Sequence, residues 1–240
     1  MTTPDTKKRL EQLDDNLWTL VQPLTFMKTQ VGTRTTVIRL PDGKLWIHSP
    51  GPELPGVYHE LIKLGDVAYL VAPNTLHQMF LPTAFQLFPT ATLYGTAAVI
   101  KKHPRLPIQL LQSPLSASWP QDIQGLILQG LRMEEWVFFH QASKSLILTD
   151  LLFNLQASDL PTQLMLHLEG VYNKLGCTRL VSKLLLRDRR QLKASCEDIL
   201  DWDFQRLLMC HGRVVDTQAK AGFRQAMAFT GLSAALQEGC

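Results

Sequence analysis

Residues 137–150 read VFFHQASKSLILTD. Two apolar, β-rich runs, VFFH and SLIL, flank a polar turn at 141–144, which is the pattern of a β-hairpin. The first run ends in His140 and the second leads into Asp150, so the stretch also raises a question of chemistry: metal site, catalytic pair or plain hairpin. The register answers part of it. A hairpin that sets His140 opposite Ser145 sets Asp150 opposite Glu135, and five residues at about 3.3 Å each separate His140 from Asp150 by roughly 16 Å along the ribbon. A metal bond to nitrogen or oxygen is only ~2 Å long, so one ion cannot take both. His140 reads as a structural residue at the turn. Two readings stay open for Glu135, a neighbour of Asp150 or, as the adjacent Glu134 favours, a solvated strand residue.

Upstream, LWTLVQ at 17–22 is a first short strand. TTVIRLPDGKLWIH at 35–48 is a second hairpin, because Pro41 presets φ and Gly43 permits positive φ in the turn. Helical spacing covers 53–64 with Gly65 as the stop. DVAYLVAPN at 66–74 is a short apolar run of the kind buried on both faces of a sheet. A second cycle repeats this order, with a helix at 81–88, a strand at 90–95 and a helix stopped by Pro104. Residues 104–121, rich in Pro, Ser and Gln, read as a loop. Downstream of the opening hairpin the pattern predicts a helix over 159–176, with Ser158 or Asp159 as cap and Pro161 in its first turn. A helix over 193–200, a strand at 204–210 and a closing helix over 217–230 follow.

Hairpins mixed with βα units mean an α/β protein with mixed sheets and helices outside. Neither GxGxxG nor GxxxxGK[ST] occurs, which argues against a doubly wound nucleotide fold. Nothing in the 240 residues reads as a linker, a repeat or low complexity, so a single domain over 1–240 is expected. The hydrophobic content of 45% and charged content of 19% suit a globular chain. A net charge of +3 is too small to make nucleic acid a partner, and Arg187-Asp188-Arg189-Arg190 reads as a solvated turn or helix face. Cys177, Cys196, Cys210 and Cys240 form no CxxC and suit reduced thiols. No apolar run approaches the ~20 residues that cross a bilayer, and MTTPDTKKRLEQLDDN at 1–16 has no apolar core of a secretory signal. The expected location is cytoplasmic, with no membrane partner; no signal sets an oligomeric state.

Ligands in layered α/β folds collect at strand ends. Five ends carry groups able to bind metal or move protons: His48, Asn74 with His77, His140, Asp150 and His211 followed by Gly212. A lone histidine there is more often structural, and a lone aspartate more often a turn former; their coincidence is the signal. Trp46, Trp136 and Trp202 read as core rather than pocket. His59, His103 and His167 read as surface, and no G-x-S-x-G elbow supports a serine hydrolase.

A strand with a short histidine motif, a hairpin ending in TD and a late strand ending in HG resemble the order found in metallo-β-lactamase-like hydrolases. The segments TTVIRLPDGKLWIHSP, YLVAPNTLHQMFL, VFFHQASKSLILTDLLFN and WDFQRLLMCHGRVV are similar to one uncharacterised family of that superfamily, over roughly residues 33–215. The resemblance implies a four-layer αββα sandwich with a site at one edge of the paired sheets. The superfamily's HxHxDH motif falls on PNTLHQ at 73–78, where Pro73, Thr75 and Gln78 stand in histidine positions and His77 in the aspartate position. A further histidine, expected near Leu131, is absent. Asp150 matches the bridging aspartate and His211 the last histidine. The resemblance thus implies at most three metal ligands, His77, Asp150 and His211, with His48, Asn74 and Glu135 as candidate neighbours.

Two functions follow. One is a hydrolase with a single divalent metal (Zn, Fe or Mn) and a bound water acting on a small-molecule substrate, since three protein ligands plus water make a catalytic zinc site. The other is a non-catalytic binding or structural protein on the same fold, with no metal if the site is vestigial.

Overall fold

The computed structural model describes residues 10–26, 28–116, 118–157 and 159–232. The first nine residues of the N-terminal reading, Ser158 and Cys240 lie outside the described residues. The first half of the chain runs β1 (Glu11–Asp14), β2 (Leu17–Gln22), β3 (Thr25–Phe26), β4 (Thr29–Gln30), β5 (Thr33–Arg39), β6 (Leu45–His48), α1 (Tyr58–Leu64), β7 (Val67–Ala72), α2 (Leu81–Leu87), β8 (Thr92–Gly95), α3 (Ala97–Lys102) and β9 (Ile108–Leu110). The second half runs β10 (Ile123–Ile127), β11 (Trp136–His140), β12 (Ser145–Leu148), α4 (Leu160–Glu169), a π-helical turn Leu180–Leu185, α5 (Arg189–Asp201), β13 (Arg206–Met209) and α6 (Ala219–Ala226).

Two mixed sheets result. The larger has the order β1-β2-β5-β6-β7-β8-β9, antiparallel as far as β6 and parallel from β6 onward. The smaller has the order β10-β11-β12-β13, antiparallel except for the parallel pair β12–β13. The β3–β4 hairpin stands apart. His140 pairs with Ser145 as the turn geometry predicts.

Side-chain alternation along each strand assigns the layers, because successive residues face opposite sides of a sheet. On β6, Leu45 and Ile47 pack with Leu61, Leu81 and Val99 of the helical layer formed by α1–α3, whereas Trp46 points the other way. On β11–β13, Val137, Phe139, Leu146, Leu148, Leu207 and Met209 pack with Leu192, Ile199 and Phe223 of α5 and α6. Trp136, Phe138, Ile147 and Leu208 meet Trp46, Val71 and Tyr94 between the sheets. The four layers are helix, sheet, sheet and helix, an αββα sandwich.

Several elements differ from the sequence reading. The stretch 104–121 contains β9, and β1, β3 and β4 were not expected. The helix predicted over 159–176 stops at Glu169, where Gly170 turns into the left-handed region (φ 76°); Asp159 caps its start by accepting from Thr162 N at 2.9 Å. Asp188, inside the basic run, caps α5. Cys177, Cys196 and Cys210 are free thiols. Trp46 and Trp136 are buried between the sheets, and Trp202 stacks on Phe139 at 5.8 Å. No helix among the described residues is long and apolar enough to cross a membrane.

Candidate metal centre

Three strand ends converge at one edge of the sandwich. His77 follows β7, Asp150 follows β12 and His211 follows β13. His77 Nε2 lies 3.2 Å from His211 Nε2, and the Asp150 carboxylate offers one oxygen to each ring at 3.4 Å. All three side chains are buried. One potential ligand atom from each lies within 4.8 Å of the others, a cluster compatible with a divalent metal.

Each donor is held from behind. His211 Nδ1 donates to the carbonyl oxygen of Gly32 at 2.8 Å, which fixes a proton on Nδ1 and aims Nε2 at the cluster. The ring of Phe153 stacks on His211 at 4.8 Å and 5°. His77 Nδ1 shares a 2.7 Å hydrogen bond with Ser49 Oγ, and Ser49 sits in the left-handed region (φ 52°), where a non-glycine residue is held only by its surroundings. Asn74 links two donors. Its Oδ1 accepts from the backbone N–H of Leu76 and His77 at 2.8 and 2.9 Å, and its Nδ2 donates to Asp150 Oδ2 at 2.6 Å and Thr149 Oγ1 at 3.0 Å.

Glu135 shapes the turn that presents Asp150. Its Oε1 accepts from Thr149 Oγ1 at 2.7 Å and from the backbone N–H of Thr149, Asp150 and Leu151 at 3.0–3.2 Å. The solvated reading of Glu135 is therefore corrected: it is 1% exposed, and Glu134 is the residue that reaches outward, to Ala98 N at the start of α3. Gly212 closes the site after His211. At φ +99° a Cβ there would lie 2.1 Å from the Asn154 carbonyl oxygen, so only glycine lets the chain pass while Asn154 N bonds His211 O.

Charge in this buried cluster is strongly coupled. Burial opposes charge on His77, yet Cys210 and Asp150 outweigh it and raise its pKa well above the ordinary imidazole value. Burial also opposes charge on Asp150, but His77 and then His211 hold its carboxyl far below the usual range. Burial and the Asp150 charge push Glu135 up to about 7, against hydrogen bonds from Thr149 and Leu151. Burial raises the Cys210 thiol, whereas His77 and His48 bring it down to about 6.

The remaining candidates separate. His48 is one layer deeper, stacked on Trp46 at 5.6 Å in the intersheet core. His140 is at the opposite end, bonded to Ser143 Oγ at 2.7 Å and 3.5 Å from Asp122, a structural role at the turn. His103, read as surface, is half-buried and bonds the Gln78 amide. Sequence reasoning missed the roles of Ser49, Phe153 and Cys210, which lie in the quoted segments but match no ligand position, and of Gly32, which lies outside them.

The cluster forms part of the wall of a cavity of about 600 Å³. Residues from the β3–β4 hairpin, the loop after β7, α4 and the π-helical turn supply most of the rest, among them Phe26, Leu76, Met165 and Leu180.

Solved structures share this architecture. The metallo-β-lactamase FIM-1 from Pseudomonas aeruginosa in its mono-zinc form matches with TM-score 0.65 and 9% identity, over 97% of this chain and 98% of that one. A metallo-β-lactamase from Pontibacter korlensis matches with TM-score 0.63 and 11% identity, over 94% and 99%. One from Hirschia baltica matches with TM-score 0.63 and 8% identity, over 92% and 97%. At such identities the likeness establishes the fold alone. No curated protein sequence matches the chain. A family profile matches residues 14–173, about two thirds of the length. The chain thus belongs to the family described as domain of unknown function (DUF4336), built on the metallo-β-lactamase fold.

Proposed function

We propose that this protein is a mononuclear metal-dependent hydrolase acting on a small molecule, with His77, Asp150 and His211 as the metal ligands. One observation carries the reading: the spacing of the three donors. Ligands at 2.0–2.1 Å around a tetrahedral ion lie about 3.3–3.4 Å apart; here the two imidazole nitrogens are 3.2 Å apart, each faces its own oxygen of Asp150 at 3.4 Å (Oδ2 for His77, Oδ1 for His211), and one ligand atom from each residue lies within 4.8 Å of the others. The proton fixed on His211 Nδ1 and the hydrogen bond behind His77 are the supports that metal-binding imidazoles need. Two imidazoles and a carboxylate suit Zn, Fe or Mn. An ion held there supplies a water of lowered pKa and polarises a substrate carbonyl.

One ion rather than two follows from the neighbouring positions, which make the HxHxDH motif degenerate. The Pro73 carbonyl accepts from Trp136 N, the Thr75 carbonyl accepts from Gln78 Nε2, and Gln78 Oε1 bonds His103. These residues serve the loop and offer no further donor set. A second reading, a non-catalytic binding protein, is favoured by the mutual pairing of Asp150 with both histidines, which offsets the buried carboxylate charge within the chain itself.

Elemental analysis separates the two. Protein purified without chelator and reconstituted with Zn²⁺, Fe²⁺ or Mn²⁺ retains close to one equivalent of one ion, and Asp150→Ala and His211→Ala lose it. Retention below about a tenth of an equivalent overturns the metalloenzyme reading.

A further inference from the structure

The cavity around the cluster has a character of its own. Its wall is mostly apolar, and several of those side chains stand exposed: Phe26 (53%), Met79 (51%), Leu76 (44%) and Leu180 (44%). A single exposed hydrophobic residue is ordinary, whereas several lining one opening mark a binding surface. Two long ionic side chains also line it, and both are engaged. The Lys102 ammonium donates to the Thr75 carbonyl at 3.1 Å, and the Glu169 carboxylate accepts from Leu180 N at 2.8 Å. Lys102 is the only lysine or arginine in the wall among the described residues. A charged group placed against Phe26, Phe153 and Met165 would be taken out of water with no hydrogen-bonding partner among those side chains, at high cost.

We propose that the substrate is a neutral acyl compound, a carboxylic ester with an apolar acyl chain, whose carbonyl lies at the His77–Asp150–His211 cluster and whose chain fills the cavity toward Phe153 and Met165. This rests on the hydrolase reading above. A volume of this order holds a drug-sized ligand, roughly an acyl chain of eight to twelve carbons. In the reaction the oxygen of water joins the acyl carbon and the bond from that carbon to the alkoxy oxygen breaks. The departing alcohol takes a proton, and a carboxylic acid remains.

The test has two arms. Metal-free protein is titrated with the neutral apolar fluorophore N-phenyl-1-naphthylamine. Saturable binding at one site is expected, weakened about tenfold or more in Met165→Trp, which fills the cavity, and in the surface variant Met79→Glu, which puts charge at its mouth. Zinc-loaded protein is then given p-nitrophenyl acetate and p-nitrophenyl octanoate. The kcat/KM for octanoate is expected to exceed that for acetate by about tenfold or more. Absence of saturable binding, binding unchanged in both variants, or acetate hydrolysed as well as octanoate overturns the inference. Fluorophore binding in a protein that takes up no metal overturns the hydrolase reading and supports the apolar ligand site. Zinc uptake with indifference to chain length overturns this inference alone.

Discussion

Gly212 and Ser49 adopt the same unusual region of backbone space for different reasons. Gly212 does so because a Cβ would run into the Asn154 carbonyl. Gly212→Ala should destabilise the fold by about 2–4 kcal/mol and displace His211; a thermal melt together with zinc stoichiometry checks both effects. Ser49 is there to meet His77. Ser49→Ala should weaken zinc affinity by roughly 10–100-fold while leaving the fold intact, as removal of an outer hydrogen bond typically does; competition with a chromophoric chelator measures it. Glu135 gives the pH prediction. Its folded pKa of about 7 lies above the ordinary 4.5, so the fold favours the protonated form. Its contribution is complete below about pH 4.5 and is lost as pH rises to about 7. Between pH 5 and 8 the metal-free wild type should lose roughly 1–3 kcal/mol relative to Glu135→Gln, read from urea midpoints; parallel pH profiles would refute the assignment. The three cluster residues were legible because each follows a strand, in the order the resemblance implies. Ser49 and Gly32 were not, since a backbone carbonyl and a left-handed serine leave no trace in residue type. Glu135 was misjudged because its charged neighbour suggested solvent, whereas the hairpin register already set it opposite Asp150.

At the scale of elements, period-two alternation did most of the specifying. Phe138 shows what it secures: buried in β11, it stacks on Trp119 at 5.4 Å and meets Trp46 edge-on at the same distance. Phe138→Ala should cost about 3–5 kcal/mol, measured by denaturant unfolding, because the rigid rings around it cannot close the space. The strands that went unread are the polar edge strand Glu11–Asp14, whose EQLD carries a single apolar residue, and three that are two or three residues long. Ile108–Leu110 is a three-residue edge strand behind Pro104 and Pro107, and Thr25–Phe26 with Thr29–Gln30 is a two-residue pair. Neither is long enough to display a period. The end of α4 was placed too late because leucines continue the apolar pattern up to Leu168, whereas the left-handed Gly170 ends the helix.

Across the whole molecule, the cluster joins the two sheets. His77 lies in the loop after a strand of the larger sheet, and Asp150 and His211 follow strands of the smaller. Asn74 and the carbonyl of Gly32 bridge the same gap. Zinc at about a hundred times its dissociation constant should therefore stabilise the protein by about 2.7 kcal/mol, visible as a rise in Tm that is absent in Asp150→Ala.

The placement of the cluster also orders events in time. His77 and His211 are 134 residues apart, so they come together only after slow, long-range pairing. Trp46, Trp119 and Trp136 lie buried at the sheet interface and change their fluorescence when the two sheets meet. In refolding, zinc capture should lag the tryptophan signal and never precede it. Bound zinc should act mainly on the reverse step, slowing separation of the halves and lengthening the native lifetime.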